Sequence, residues 1–296
     1  MLNRLFRLVT LACISLAAAG LAIAGDPTMG REIRFGVLAF RPKPITEAQW
    51  RPVANYLAHS LHDRPVTLVA LTYPELEEAV ARRKVDFVLT QPASYVYLST
   101  RYGLSSPLAT LCNMEHGTPV RTFGGVIAVK ATRSDLQELR DLAGKRIATA
   151  SAQSFGGYLM AAYELHKAGI ALPQGHRLIE TGMPHDRAIE QVLSGEADAA
   201  FVRSGLIEGM LHEGRITQGQ LRTLNPRNAH DLPFALSTRL YPEWPLAATP
   251  EVDEDLANAF AAALLSMPHG GETAEKAHIH GFNVPMDYHP VTEVLM

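Results

Sequence analysis

The chain has little that would fix it covalently or draw it to nucleic acid. Its 296 residues include two cysteines, Cys13 and Cys112. Cys13 lies in an N-terminal segment that reads as a removable leader, so the processed chain would keep one thiol and no intramolecular disulfide, despite an oxidising destination. Stability must then come from a conventional core, which a chain of this length can build. Basic runs are also missing: 27 Lys and Arg stand against 30 Asp and Glu. The leader carries two of the basic residues, Arg4 and Arg7, and none of the acidic ones, leaving 25 minus 30, or −5, for the remainder. Such a chain is a poor nucleic-acid binder, and any anion it holds must be held locally, against the overall field. Beyond the leader, no stretch approaches the roughly 20 apolar residues of a spanning helix.

What is present begins with that leader, MLNRLFRLVTLACISLAAAGLAIAG. Arg4 and Arg7 precede an apolar run from Leu8 to Ile23, slightly short for a membrane anchor, and Ala22-Ile23-Ala24 fits the small-x-small rule of signal peptidase. A signal peptide over residues 1–24, a first mature residue Gly25 and a periplasmic location are expected. A lipoprotein is disfavoured, because Cys13 follows too little apolar sequence and Thr10 stands where Leu is usual.

Strands and helices then alternate. EIRFGVLAF reads as a buried strand, followed by a helix with Trp50, Val53, Ala54, Leu57 and Leu61 on one face and a capping box of Thr46 and Gln49. VTLVAL, VDFVLT, FGGVIAVK, KRIATAS, HRLIET and DAAFV follow as strands with helices between most of them, a pattern that argues for α/β architecture with mostly parallel sheets covered on both faces. ARRKVDFVLTQPASYV resembles LSGEADAAFVRSGLIE: Asp86 and Asp198, 112 residues apart, each precede a short apolar strand and a polar turn opening a helix. Two similar lobes with a site between them are one reading; the other is that any two βα units look alike.

Three turns in the second half carry candidate chemistry. RIATASAQSFGG runs into a helix from Phe155, whose first N–H groups lack internal partners and whose dipole favours negative charge. Ser151, Gln153 and Ser154 add polar groups, and Gly156 and Gly157 allow close approach, so the turn suits an anion; Ser154 is equally suited to cap the helix. GMPHD starts a helix with Pro184 and places His185 as a donor. FVRSG puts Arg203 just beyond a strand, as the one fixed positive charge among the three turns. All three follow carboxyl ends of strands, where open α/β sheets bind ligands. In the first half, TQPASYVY offers Gln91, Ser94 and Tyr95, and AFRPK offers Phe40, Arg41 and Lys43.

QSFGG, GMPHD and GEADAAFVRSG, with DLAGKRIA ahead of them, resemble the phosphate/phosphite/phosphonate-binding class of periplasmic solute-binding proteins, nearest to the branch that also serves as the sensor half of histidine kinases such as the tetrathionate sensor. The resemblance covers about residues 32–290. It implies a two-lobed periplasmic-binding-protein fold of type II: lobe 1 from residues 30–118 and 235–290, lobe 2 from 119–234, joined near Thr118–Phe123 and Leu224–Phe234. It implies that the turn containing Ser151, Gln153, Ser154, Phe155 and Gly156 grips a tetrahedral oxyanion with His185, and that Tyr95 reaches it from the other lobe. The function implied is solute capture without catalysis, cofactor or metal, by a monomer serving an ABC transporter permease or a sensor kinase. Phosphonate binders carry an acidic residue near the position of Arg203; Arg here, with a thinned Ser/Thr cluster, favours a more anionic ligand.

Two rival chemistries use the same residues. Ala152-Gln153-Ser154-Phe155-Gly156 resembles the G-x-S-x-G nucleophile elbow, with EHGT as an oxyanion loop and Asp231 and His269 following in hydrolase order, but its first glycine is missing. His269, His278, His280 and His289 could place two imidazoles together, although no Cys or carboxylate cluster completes a tetrahedral metal set.

Overall fold

The computed structural model describes residues 30–296, of which Arg31–Met296 form one compact unit. The segment expected to be a leader, the expected first mature residue Gly25 and Cys13 lie outside the described residues. Among those described, no helix is long and apolar enough to cross a membrane, and Cys112 is buried and unpaired.

Two sheets carry the architecture. The larger has seven strands, in the order Ile279–Asn283, Ala109–Glu115, Pro245–Ala248, Phe87–Leu89, Ile33–Leu38 and Val66–Leu71, with Thr118–Val120 paired to Ala109–Glu115. The smaller has five, in the order Leu221–Leu224, Gly125–Lys130, Ala199–Arg203, Ile147–Thr149 and Leu178–Glu180. Each contains a parallel trio built from βαβ units: Val66–Leu71, Ile33–Leu38 and Phe87–Leu89 in one, Leu178–Glu180, Ile147–Thr149 and Ala199–Arg203 in the other. The sheets are mixed rather than mostly parallel, because the strand laid beside each trio has crossed from the other sheet and runs antiparallel. The chain crosses at Thr122–Phe123 and returns at Tyr241–Pro242, and these two segments pair with each other. The return therefore lies C-terminal to the Leu224–Phe234 segment expected from sequence; Ser237 is still bonded to Gly125 and Ile127 of the smaller sheet.

Alternation along the strands explains how the smaller sheet is buried on both faces. Ile127, Val129, Ile147, Ala199 and Phe201 point to one apolar cluster, and Val126, Ala128, Ala148, Ala200 and Val202 to the other. In the larger sheet the helix Lys43–Ser60 buries Trp50, Val53, Ala54 and Leu57. It begins at Lys43, with Pro44 in its first turn, rather than at Thr46, whose hydroxyl donates to the Arg41 carbonyl at 3.3 Å. Thr72 and Glu75 form the capping box that opens the next helix, Tyr73–Ala81. Gly103, with φ +72°, closes Pro92–Tyr102.

The repeat seen in sequence is a structural one. Asp86 accepts the N–H and Nε of Arg34 at 2.7 and 3.0 Å, locking the start of Ile33–Leu38 to the start of Phe87–Leu89. Asp198 accepts the N–H and Nε of Arg146 at 2.9 and 3.2 Å, locking Ile147–Thr149 to Ala199–Arg203 in the same manner. Arg34 and Arg146 are themselves 112 residues apart, the spacing of the two aspartates.

Candidate functional site

The strand Ile147–Thr149 leads into the turn whose amide groups the sequence marked. Most of those groups are used internally. The Ala152 N–H donates to Glu180 at 2.8 Å and that of Gln153 to Ser151 Oγ at 3.2 Å. Ser154 caps its helix: its Oγ accepts the Gly157 N–H at 3.1 Å, and its carbonyl accepts those of Tyr158 and Leu159. The double acceptance opens the helix with a π turn, Phe155–Leu159, before the α-helical Met160–Lys167. Among the described residues, the N–H groups of Phe155 and Gly156 have no acceptor, so two donors at the positive end of a 13-residue helical run remain for a ligand.

Side-chain packing sets the shape of this turn. Phe155 is buried and meets the rings of Phe123 and Tyr241 edge-on, with centroids 6.1 and 5.0 Å away. Its ring anchors the turn to both crossing strands and faces the core, which leaves only its backbone N–H on the cleft side. Gly156 is required by the same joint, since a Cβ there would lie 2.8 Å from the Phe123 ring. A Cβ at Gly157 would lie 2.5 Å from Cε1 of His185 and 2.6 Å from Ser154 Oγ, so this glycine makes room for the imidazole against the cap.

His185 stands immediately before the helix Asp186–Ser194. Its Nδ1 is buried with no hydrogen-bond partner among the described residues. Burial, then the charges of Arg203 and Arg41, push its pKa down to about 4, so the ring is neutral at pH 7 and presents one N–H and one acceptor.

Arg203 is where the structure departs most from the sequence reading. Its guanidinium is not an open charge: it donates to Glu115 at 2.7 Å and to Glu243 at 2.6 Å, and lies 4.6 Å from the centre of the Phe123 ring. Glu115 comes from the larger sheet, at the tip of a hairpin whose two-residue turn, His116-Gly117, has positive φ at both positions. Glu243 follows the returning strand and is fully buried, and its backbone carbonyl accepts the Tyr288 hydroxyl. Burial opposes the charge on Arg203, but the two carboxylates outweigh it and hold the group cationic. The next residues continue this joint, as the His116 ring donates to the Gly205 carbonyl at 2.7 Å. Arg203 ties the two sheets together.

The larger sheet faces this turn with Gln91, Phe40 and Arg41. Gln91 caps the helix Pro92–Tyr102 through Oε1 and reaches the Gln153 carbonyl across the cleft at 3.4 Å. Phe40 packs edge-on against Trp244 and carries the Arg41 guanidinium 5.6 Å above its ring. Arg41 is exposed, and no ion pair engages it among the described residues. Tyr95 is not in the cleft group: it is buried, donates to the Ser105 carbonyl and packs against Tyr288. Tyr73, which sequence inspection passed over, is half-buried beside Gln91, with its phenol pushed up to about 12 by burial. Its signal was available, because Tyr73 precedes His185 by the same 112 residues that separate the two repeats.

The rival chemistries do not assemble. Asp231 pairs with exposed His230. His269 is bonded to the Phe282 carbonyl and lies against His280, with ring centroids 5.0 Å apart. Glu115 and His116 of the supposed oxyanion loop are engaged at the joint between the sheets. Among the described residues no three His, Cys, Asp or Glu side chains converge to hold a metal.

Residues 35–289 match the family model of the ABC transporter phosphonate periplasmic substrate-binding protein. The chain belongs to that family. It is 32% identical over 289 residues to the tetrathionate sensor histidine kinase TtrS of Salmonella typhimurium, covering 96% of this chain and 47% of the kinase. It is 21% identical over 226 residues to the phosphate-import protein PhnD of Mycolicibacterium smegmatis, covering 72% of this chain and 70% of that protein. The chain thus spans about half the length of the kinase. Among solved structures, PhnD1 of Prochlorococcus marinus in complex with methylphosphonate has a TM-score of 0.64 at 16% identity, covering 89% of this chain and 96% of that one. The fold is the two-lobed type II periplasmic-binding-protein fold, and members of this family bind solutes rather than transform them.

Proposed function

We propose that this family member captures a small oxyanion between its two lobes and serves an ABC permease or a sensor kinase from the periplasm. The observation that carries the reading is the convergence of unlike donors. The unused N–H groups of Phe155 and Gly156 and the neutral His185 ring lie on one side, and Arg41, Gln91 and Tyr73 on the other. Ser151, Gln153 and Ser154 then act by shaping the turn, and Arg41 replaces Arg203 as the cation offered to the ligand. The lobes are best divided at Thr122–Phe123 and Tyr241–Pro242, which act as the hinge, with a cleaved leader before them and a monomeric chain in solution. Signalling is favoured as the output by the 32% identity to a sensor kinase across 96% of this chain.

A thermal-shift screen of phosphonates, phosphite, sulfur oxyanions and carboxylates, followed by calorimetric titration of each hit, tests the reading. Arg41→Ala and His185→Ala should each weaken binding roughly 10- to 150-fold, the worth of a hydrogen bond involving a charged partner. Small-angle scattering should show compaction at saturation. Binding that ignores both substitutions would remove the oxyanion from this cleft.

A further inference from the structure

The charges around the cleft restrict which oxyanion it can hold, and they reverse the expectation drawn from sequence. Two cations reach His185 with their fields, Arg203 and Arg41. Arg203 is spent on Glu115 and Glu243 at 2.7 and 2.6 Å. With both glutamates ionised, the two arginines and two glutamates cancel. Burial also pushes the Glu243 carboxyl above its ordinary range against the pull of Arg203, and a proton there would leave a single positive charge. The turn adds no further cation; its neighbouring carboxylate, Glu180, is negative and bonded to the Ala152 N–H. What remains for the ligand is one guanidinium, an imidazole held neutral and two peptide N–H groups.

A second negative charge in this cleft has no partner, and the cost of desolvating an ion rises steeply with its charge. Peptide N–H groups and a neutral ring stabilise a monoanion by dipoles at little cost, as helix termini do for sulfate-like groups. Resting on the oxyanion reading above, we infer that the cleft selects a tetrahedral head with one formal negative charge, of the sulfonate class, over a phosphonate dianion. Glu115 and Glu243 are the residues that set this preference, because they cancel Arg203.

Methanesulfonate and methylphosphonate are nearly isosteric and separate charge from shape. At about pH 9 the first is a monoanion and the second a dianion, whereas near pH 5.5 both are monoanions; His185 remains neutral at either value. The intact protein should bind methanesulfonate roughly tenfold or more tightly than methylphosphonate at the higher pH, with the gap closing at the lower. Glu115→Gln keeps the side-chain shape, uncovers part of the Arg203 charge and should narrow the gap at about pH 9 by strengthening methylphosphonate. Arg41→Gln should weaken both probes. Should Glu115→Gln fail to fold, the two-pH comparison on the unmodified chain still decides. Tighter binding of the phosphonate dianion would overturn the charge selection and leave the oxyanion reading standing. Failure of both probes to bind at millimolar concentration, at both pH values, would overturn the oxyanion reading itself.

Discussion

Residues 112 apart occupy equivalent places in the two lobes, and the equivalence is tight at one end of each sheet and lost at the other. Where the trios begin, Arg34 with Asp86 and Arg146 with Asp198 make the same backbone and side-chain bonds. Where the strands point into the cleft, the partners diverge: Arg41 corresponds to Gln153, Tyr73 to His185, Gln91 to Arg203 and Ile45 to Gly157. One lobe presents a guanidinium with no ion pair among the described residues and a phenol; the other presents amide donors and a neutral imidazole, its own arginine being consumed at the hinge. The frame is a shared solution to pairing strand ends. The cleft ends differ, as the proposed capture of a ligand from both sides requires.

The largest effect should come from breaking the shared frame. Asp86→Ala and Asp198→Ala each leave a guanidinium and a strand N–H without their acceptor, at a cost of about 2–3 kcal/mol by denaturant titration. The two costs should agree to within about 1 kcal/mol if the repeat is energetically real, with Asp198 the dearer because its second arginine, Arg133, bonds it at 2.9 Å, whereas Arg31 reaches Asp86 at 3.4 Å. A pair of unequal values, one near zero, would reduce the repeat to a resemblance of shape.

The cleft ends should respond differently to the same small change. Gly157→Ala forces a Cβ into His185 and Ser154, and should cost about 1–3 kcal/mol together with most of the ligand affinity. Its counterpart Ile45 is 53% exposed, and Ile45→Ala should leave stability and binding within experimental error.

His185 and Tyr73 should also separate by pH. The folded pKa of His185, about 4, lies below its ordinary 6.5. The unfolded chain therefore binds the extra proton first, and stability should fall as pH drops from 6.5 towards 4. Tyr73 is raised from 10 to about 12, so its contribution should be lost as pH rises through that window. His185→Gln should flatten the acid limb of a plot of unfolding midpoint against pH, and Tyr73→Phe the alkaline limb; limbs unmoved by these substitutions would deny both burials. Ser154→Ala should have a modest effect, about 1 kcal/mol for the lost cap. It should reduce affinity less than Arg41→Ala, and a larger loss would return Ser154 to direct contact with the ligand.

Much of the frame is legible in the sequence, because periodicity, caps and turn glycines are written within a few residues of where they act. The strands and the two repeated aspartates belong to this class. The site was legible in part. Gln91, Arg41 and His185 reach the cleft, whereas Tyr95 and Phe155 turn into the core, since an aromatic ring beside a polar turn carries no local mark of which way it will face. Thr46 misled for a related reason: its spacing to Gln49 fits a capping box, but Pro44 starts the helix earlier.

By itself the sequence determined the α/β alternation, the doubled unit and the positions of the turns, all of which depend on neighbours along the chain. Tertiary structure decided the charge of the cleft. Glu115 and Glu243 stand 88 and 40 residues from Arg203, and neither lies in a motif with it. Only the crossing of the chain at Thr122–Phe123 and its return at Tyr241–Pro242 bring the three together, and a Coulomb interaction depends on distance in space rather than on separation along the chain.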